Sequence, residues 1–226
     1  LTVHQYFLSS PAEEPEMLHQ LADQFRQRPV VVTYNGKTFD MPLLRTRYIL
    51  NRMTEPVVQV VDLLHAARFI WRHRLSGFRL AEVEQHILGI RRKGDLPGAL
   101  VPGVYRDYLL GRDQGQAREI LRHNLQDVVS LAALVNRIQA GCEGGQDPDI
   151  RYALARKRFL ERDHAGCVSL LAPSGDRDFP DRMRSAVMWT EAAARKRMGD
   201  MPGAARIWRR MDSVPASIEL AKYLEH

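Results

Sequence analysis

The chain has 226 residues, 45% of them hydrophobic and 27% charged, an ordinary balance for one or two globular domains. Its net charge of +6 and pI of about 9.6 are a mild basic excess, compatible with nucleic acid as a partner. No apolar run approaches the roughly 20 residues that span a bilayer, and Cys142 and Cys167 form no metal-ligand or disulfide pattern, which makes the cytoplasm the expected location.

In chain order, Leu1–Leu8 reads as a β-strand. Glu13 to Arg28 reads as a helix with Met17, Leu18, Leu21 and Phe25 as its buried stripe and Pro29 as its stop. Val30–Tyr34 is β-branched and predicts a strand, Asn35-Gly36 a turn, and Pro42 an early position of a helix running to about Met53. This order puts Asp40 at the mouth of a helix near the carboxyl end of a strand, where open α/β sheets bind ligands. A carboxylate there can hold a divalent cation or a metal-bound water, or it can simply cap the helix. Val57–Asp62 predicts a second strand, with Asp62 either a cap or a further site residue.

Arg68, Arg72, Arg74 and Arg79 then cluster, followed by Arg91-Arg92-Lys93, with His65, Trp71, His73 and Phe78 interleaved. Guanidinium groups pair with phosphates and aromatic rings stack on unpaired bases. The alternative is a solvated helix face with Phe69, Ile70 and Trp71 packed inward. A helix near Leu80–Leu88 should stop at Gly89, and Gly94–Gly103 reads as a loop. A short helix around Tyr105–Leu110 and a long one over about Gln116–Gln139 follow. On the long helix Leu121, Leu125, Val128 and Leu131 recur at helical spacing, and His123 and Asp127, four apart, share one face. That pair is either a weak surface salt bridge or catalytic. Strands alternating with helices predict an α/β layer.

Gly141–Pro148 reads as a boundary linker, dividing residues 1–140 from residues 147–226. Beyond it the pattern is all helical. Ala155-Arg156-Lys157-Arg158 recurs as Ala194-Arg195-Lys196-Arg197, an offset of 39, with the loop Ala172–Pro180 absorbing the excess over the usual tetratricopeptide period of about 34. A plain helical bundle is the alternative.

Taken together, Asn35-x-x-x-Phe39-Asp40-x-x-x-Leu44 resembles the second motif, and His123-x-x-x-Asp127 the third, of the DEDD 3′–5′ exonuclease superfamily on the RNase H-like fold. With Asp62–Arg68 and Trp71–Leu75, they are most similar to the YprB-type RNase H-like domain, which is often followed by tetratricopeptide repeats. The resemblance covers about residues 1–138. His123 stands four positions before Asp127, a spacing the family gives to tyrosine. The family's first motif, Asp-x-Glu, occurs nowhere in the sequence. By resemblance Leu1–Leu8 matches the third strand, so the expectation is an RNase H-like domain lacking its first two strands, followed by an all-α tetratricopeptide-like region. The absent motif reads either as a fragment's missing start or as a loss in evolution.

The resemblance implies metal-dependent 3′–5′ hydrolysis of a single-stranded DNA or RNA end, with Mg2+ or Mn2+ in a two-ion site. Asp40 and Asp127 would be metal ligands, His123 would orient or deprotonate the nucleophile, and Asn35 and Lys37 would position the strand with Arg68, Arg72 and Arg74. Without Asp-x-Glu the chain itself should be inactive, with a gap or a foreign strand beside Val30–Tyr34. The competing reading is a non-catalytic module that binds nucleic acid, or recruits a protein through the helical repeats.

Overall fold

The computed structural model describes residues 2–112, 115–145, 147–172 and 178–225. By internal contacts the chain forms two compact units, Leu1–Ala67 with Gly77–Asn136, and Arg68–Ser76 with Arg137–His226. The segment Arg68–Ser76, although it follows the first unit's second strand, groups with the C-terminal helices.

In the first unit, α1 (Glu14–Gln27) and α2 (Asp40–Leu50) flank β1 (Val30–Thr33) in sequence. Leu18 and Ala22 of α1 bury against Tyr48 of α2, with Leu44 and Met53 around them. The Tyr48 hydroxyl donates to the Leu18 carbonyl at 3.1 Å, so the ring goes inside without stranding its polar end. Glu14 closes the other side of the pair: its carboxylate accepts from Arg47 Nε at 2.6 Å and Asn51 Nδ2 at 2.9 Å.

β1 pairs in parallel with β2 (Gln59–Asp62), Val30 opposite Gln59 and Thr33 opposite Asp62. Among the described residues the sheet has these two strands, and Val30 and Val32 of β1 stand 54% and 36% exposed. The predicted strand at Leu1–Leu8 is not one over its described residues, 2–8. A segment becomes a strand by exchanging backbone hydrogen bonds with a neighbour, and here the partners lie on helices. Gln5 Nε2 donates to the Leu121 carbonyl at 2.8 Å, and the Tyr105 hydroxyl donates to the Leu8 carbonyl at 2.9 Å. Phe7 meets Tyr105 and Tyr108 edge to face.

β2 runs straight into α3 (Leu63–Trp71). The helix predicted near Leu80–Leu88 is α4 (Leu80–Val83) followed by a π-helical turn, Glu84–Leu88, which ends at Gly89 with φ 71°. A left-handed residue there suits glycine. The predicted loop Gly94–Gly103 is partly helical: a 3-10 turn at Gly98–Leu100 leads into α5 (Val101–Leu109), with Pro102 in its first turn. Proline early in a helix loses no hydrogen bond, so Pro102 suits the start of this element. α6 (Ala117–Gly144) is the long helix that carries His123 and Asp127.

α6 continues to Gly144, so the first half of the expected linker Gly141–Pro148 is helix. Gly141 is a packing glycine: a Cβ there would lie 2.1 Å from Ile150 Cδ1. Because Ile150 is itself 1% exposed, Gly141→Ala should destabilise the protein by about 1–3 kcal/mol through overpacking. Urea unfolding measures this, and an unchanged midpoint would show that Ile150 has room to move.

In the second unit, α7 (Pro148–Leu160) and α8 (His164–Leu171) pack together, as do α9 (Asp181–Arg197) and α10 (Met201–Trp208), and α11 (Val214–Leu224) follows on α10. Asp147 caps α7 by accepting from the Asp149 and Ile150 amides at 3.0 and 3.1 Å. The two hairpins repeat one device. Asp163 accepts from Gly166 N at 2.8 Å and pairs with Arg158 at 2.9 Å; Asp200 accepts from Gly203 N at 2.9 Å and pairs with Arg195 at 2.9 Å. Arg162 and Gly199, each just before its aspartate, have φ 64° and 84°. The structural offset is therefore 37 positions, and it corrects the 39 read from the repeated Ala-Arg-Lys-Arg string. Ion pairing and caps put Arg158 at the place of Arg195, not Arg197. Most of the loop taken to absorb the excess, residues 173–177, lies outside the described residues.

Candidate active site

The turn after β1 is built around a buried acid. Asp62 ends β2 and is 6% exposed. Its carboxylate accepts from the Asn35 amide at 2.8 Å, the Lys37 amide at 3.1 Å and the Leu64 amide at 3.1 Å. The Leu64 bond is the helix cap expected from the sequence. The other two bonds hold the β1–α2 turn, a role the sequence did not disclose. Burial pushes the Asp62 carboxyl up, but the three amide donors outweigh it and hold it below the usual aspartate range. Asn35 sits in the left-handed region at φ 64°, which asparagine tolerates. Gly36 lies so close under Thr33 that a Cβ would come within 2.5 Å of it.

This turn delivers Asp40 to the first position of α2. The residue is exposed as a whole, yet burial of its carboxyl and then the neighbouring charge of Asp62 push it above the usual aspartate range. Asn35 and Lys37 enter through their main chain, and the Lys37 side chain is exposed.

The second acidic group surrounds a guanidinium. Arg92 forms a two-pronged pair with Glu84, Nε to Oε2 at 2.5 Å and Nη2 to Oε1 at 2.6 Å. It also donates to Asp127 Oδ1 at 2.5 Å and to Asp95 Oδ2 at 2.9 Å. The Glu84 side chain has no exposed surface and that of Arg92 is 12% exposed. Hydrogen bonding to Glu84 is the main reason the Arg92 pKa is raised further. His123 Nδ1 lies 2.9 Å from both Asp95 oxygens. A carboxylate can only accept, so toward Asp95 the imidazole serves as donor through Nδ1. Nε2 stands 3.6 Å from Asp127 Oδ2. For Asp95, burial raises the carboxyl and the bonds from Arg92 and His123 lower it, with a net fall.

His123 and Asp127 are thus brought together by the four-residue spacing on α6. No hydrogen bond or ion pair between described residues joins them to Asp40, whose charged neighbour is Asp62. Among the described residues, no group of three or more His, Cys, Asp or Glu side chains is placed to hold a metal ion. Asp127 is engaged by Arg92, and Asp40 has Asp62 as its charged neighbour.

Three members of this cluster were not foreseen from the sequence: Glu84, Arg92 and Asp95. In the sequence Arg92 falls in a basic cluster that reads either as phosphate-binding or as a solvated face; in the structure its side chain is 12% exposed and ion-paired. The available signal was Glu84 itself, an acid set between Val83 and Ile87-Leu88 in a helix, where burial demands a cationic partner.

The other predicted arginines belong to the second unit. Arg68 and Arg72 are exposed, while Ile70 and Trp71 between them are buried. Arg72 Nε lies 3.0 Å from His73 Nε2, and Arg74 lies 3.7 Å from the buried Asp149 carboxylate.

The chain is 29% identical to the uncharacterized protein YprB of Bacillus subtilis (strain 168), over 240 aligned residues that include all of this chain. It spans 57% of that protein's length. No solved structure matches, and no helix of the described residues is long and apolar enough to cross a membrane. A sequence model of the RNase H superfamily matches residues 1–139, which contain the Asp62 turn and the Arg92 cluster alike, and the chain belongs to that superfamily.

Proposed function

We propose that this chain carries part of a nuclease-type centre acting on single-stranded DNA or RNA ends, with the residues at hand insufficient for cleavage. The superfamily match over residues 1–139 is the observation that carries this reading. It supports phosphodiester chemistry as the function class and nucleic acid as the substrate class. Magnesium or manganese would supply Lewis acidity and a nucleophilic water in such a centre. Within the chain, Asp95 holds His123 at Nδ1 while Nε2 lies 3.6 Å from Asp127, a placement for orienting a water or accepting its proton. Asp40 opens α2 beyond the carboxyl end of β1, with its carboxyl pushed above the usual aspartate range by burial and by Asp62, a shift that a bound cation would oppose.

The 3′–5′ direction and the tetratricopeptide assignment of residues 147–226 belong to the same proposal. The repeated Asp–Gly caps of α8 and α10 support the second. In that reading the helical region can also recruit a protein partner.

The test is incubation of the chain with 5′-labelled single-stranded DNA and RNA in magnesium or manganese. The expected result is an intact oligonucleotide, because Asp127 is tied to Arg92 and no Asp-x-Glu is present. A ladder of shortened products, lost on Asp127→Asn, would show instead that the chain is a complete nuclease.

A further inference from the structure

The second unit has a cleft whose lining is chemically uneven. Two adjoining hollows of about 560 and 290 Å3 share Phe159, Trp189 and Ala193. Among the described residues four cations line them: Arg72 and Arg156 in one, Lys196 and Arg197 in the other. The carboxylate in the lining is Glu219, already paired with Lys196 and, at 3.0 Å, with Lys222.

The arrangement follows from helical spacing. Trp189, Ala193, Lys196 and Arg197 fall at i, i+4, i+7 and i+8 and share one face of α9. Arg156 and Phe159 fall at i and i+3 on α7. Trp189 is 39% exposed, a large indole surface left open to water beside cations. Ala193, four positions on, has a small side chain and lines both hollows with Trp189. Arg156 stacks over Phe69 at 4.6 Å, and its Nη1 is buried with no hydrogen-bond partner. Burial, then the nearby charge of Arg72, push the Arg156 pKa down from the ordinary arginine range. Two like-charged guanidinium groups lining one hollow, Arg72 and Arg156, favour an anion between them, since guanidinium groups pair with phosphates.

We infer that this cleft binds a single strand of nucleic acid, with bases against Trp189 and Phe159 and phosphates on Arg72, Arg156, Lys196 and Arg197. The inference rests on the nucleic-acid reading proposed for the chain. Among the described lining residues, Arg72, Arg156 and Arg197 stand outside the Lys196–Glu219 pair, and that cationic excess selects an anionic occupant. The exposed indole and the hollows it lines select one with flat rings at intervals along the anion chain. A single strand supplies both, and an acidic polypeptide supplies only the charge. The sequence had placed phosphate binding on Arg68, Arg72 and Arg74; here Arg72 is retained and its companions come from α7 and α9.

Binding of fluorescein-labelled dT20 to the full chain, read by anisotropy in EDTA across salt concentrations, tests this without depending on hydrolysis. Trp189→Ala should weaken binding about tenfold or more, as loss of a stacking platform does. Arg197→Glu should weaken it and flatten the dependence of log affinity on log salt. Both positions are partly or fully exposed, and matching circular-dichroism melts would confirm that the variants fold. Parental affinity in both variants would overturn the cleft while leaving the nucleic-acid reading standing. Absence of dT20 binding by the parent chain would overturn both. Displacement of dT20 by polyglutamate at equal charge concentration would overturn the choice of occupant and identify an acidic polypeptide.

Discussion

Arg92→Ala should lower the stability of the protein by about 3–5 kcal/mol, the usual cost of stripping one partner from a buried ion pair. The Glu84 side chain is wholly buried and its two oxygens are taken by Arg92 at 2.5 and 2.6 Å. Without the guanidinium, an isolated carboxylate would have to be protonated, find water, or open the turn that carries it. The same deletion frees Asp95 and Asp127, which then face each other's charge with only His123 between them. Arg92→Lys should recover part of the loss and not all of it. A lysine keeps the charge but cannot form the two-pronged bond to Glu84 while also reaching Asp127. Adding Glu84→Gln to Arg92→Ala should restore stability relative to Arg92→Ala alone, because the orphaned charge is then gone. Urea unfolding of the four proteins gives the comparison. A loss below about 1 kcal/mol for Arg92→Ala would mean that water reaches Glu84 and that the cluster is a surface network.

The Arg92 cluster also shows where sequence reasoning stopped. Spacing alone placed His123 and Asp127 on one face of a helix, and the structure has them 3.6 Å apart. The β-branched runs gave β1 and β2, and Asn35-Gly36 gave the turn, because those signals are local. Arg92 was legible as a charge but not as an internal one. Its partners lie 8 and 35 positions away on a π-helical turn and on α6, and only the fold brings them together. The N-terminal segment failed for the same reason in reverse. Its alternation is strand-like, yet a strand is a property of two segments, and Gln5, Phe7 and Leu8 take side-chain partners from α5 and α6. The repeat offset of 39 came from matching letters. The offset of 37 comes from the caps at Asp163 and Asp200, whose bonds to Gly166 and Gly203 fix where each hairpin turns.

Asp62→Ala should cost about 2–4 kcal/mol and Asp62→Asn about 1–2 kcal/mol near neutral pH, since charge-assisted bonds to three amides are lost or weakened. Asp62 is buried at the end of β2, and its oxygens hold the amides of Asn35, Lys37 and Leu64. One carboxylate therefore starts α3 and fixes the turn that positions Asp40. Its folded pKa is depressed below the aspartate value of 3.8. A depressed carboxyl contributes stability that is fully present above the unfolded pKa and is lost as pH falls through the folded one. The stability gap between the parent and Asp62→Asn should accordingly be constant from neutral pH down to about pH 5 and shrink below about pH 4. Asp40 supplies a second readout. Burial is the main reason its carboxyl is raised, and the Asp62 charge is a further one. Asp62→Asn should therefore move the Asp40 titration part of the way down toward the ordinary aspartate range, with the burial contribution left in place. Thermal melts across pH measure the first effect, and carboxyl-detected NMR of Asp40 measures the second. A gap that persists unchanged at pH 3 would show that Asp62 acts through its shape rather than its charge. An unmoved Asp40 would show that the two carboxyls, though successive in the fold around one turn, do not share an electrostatic site.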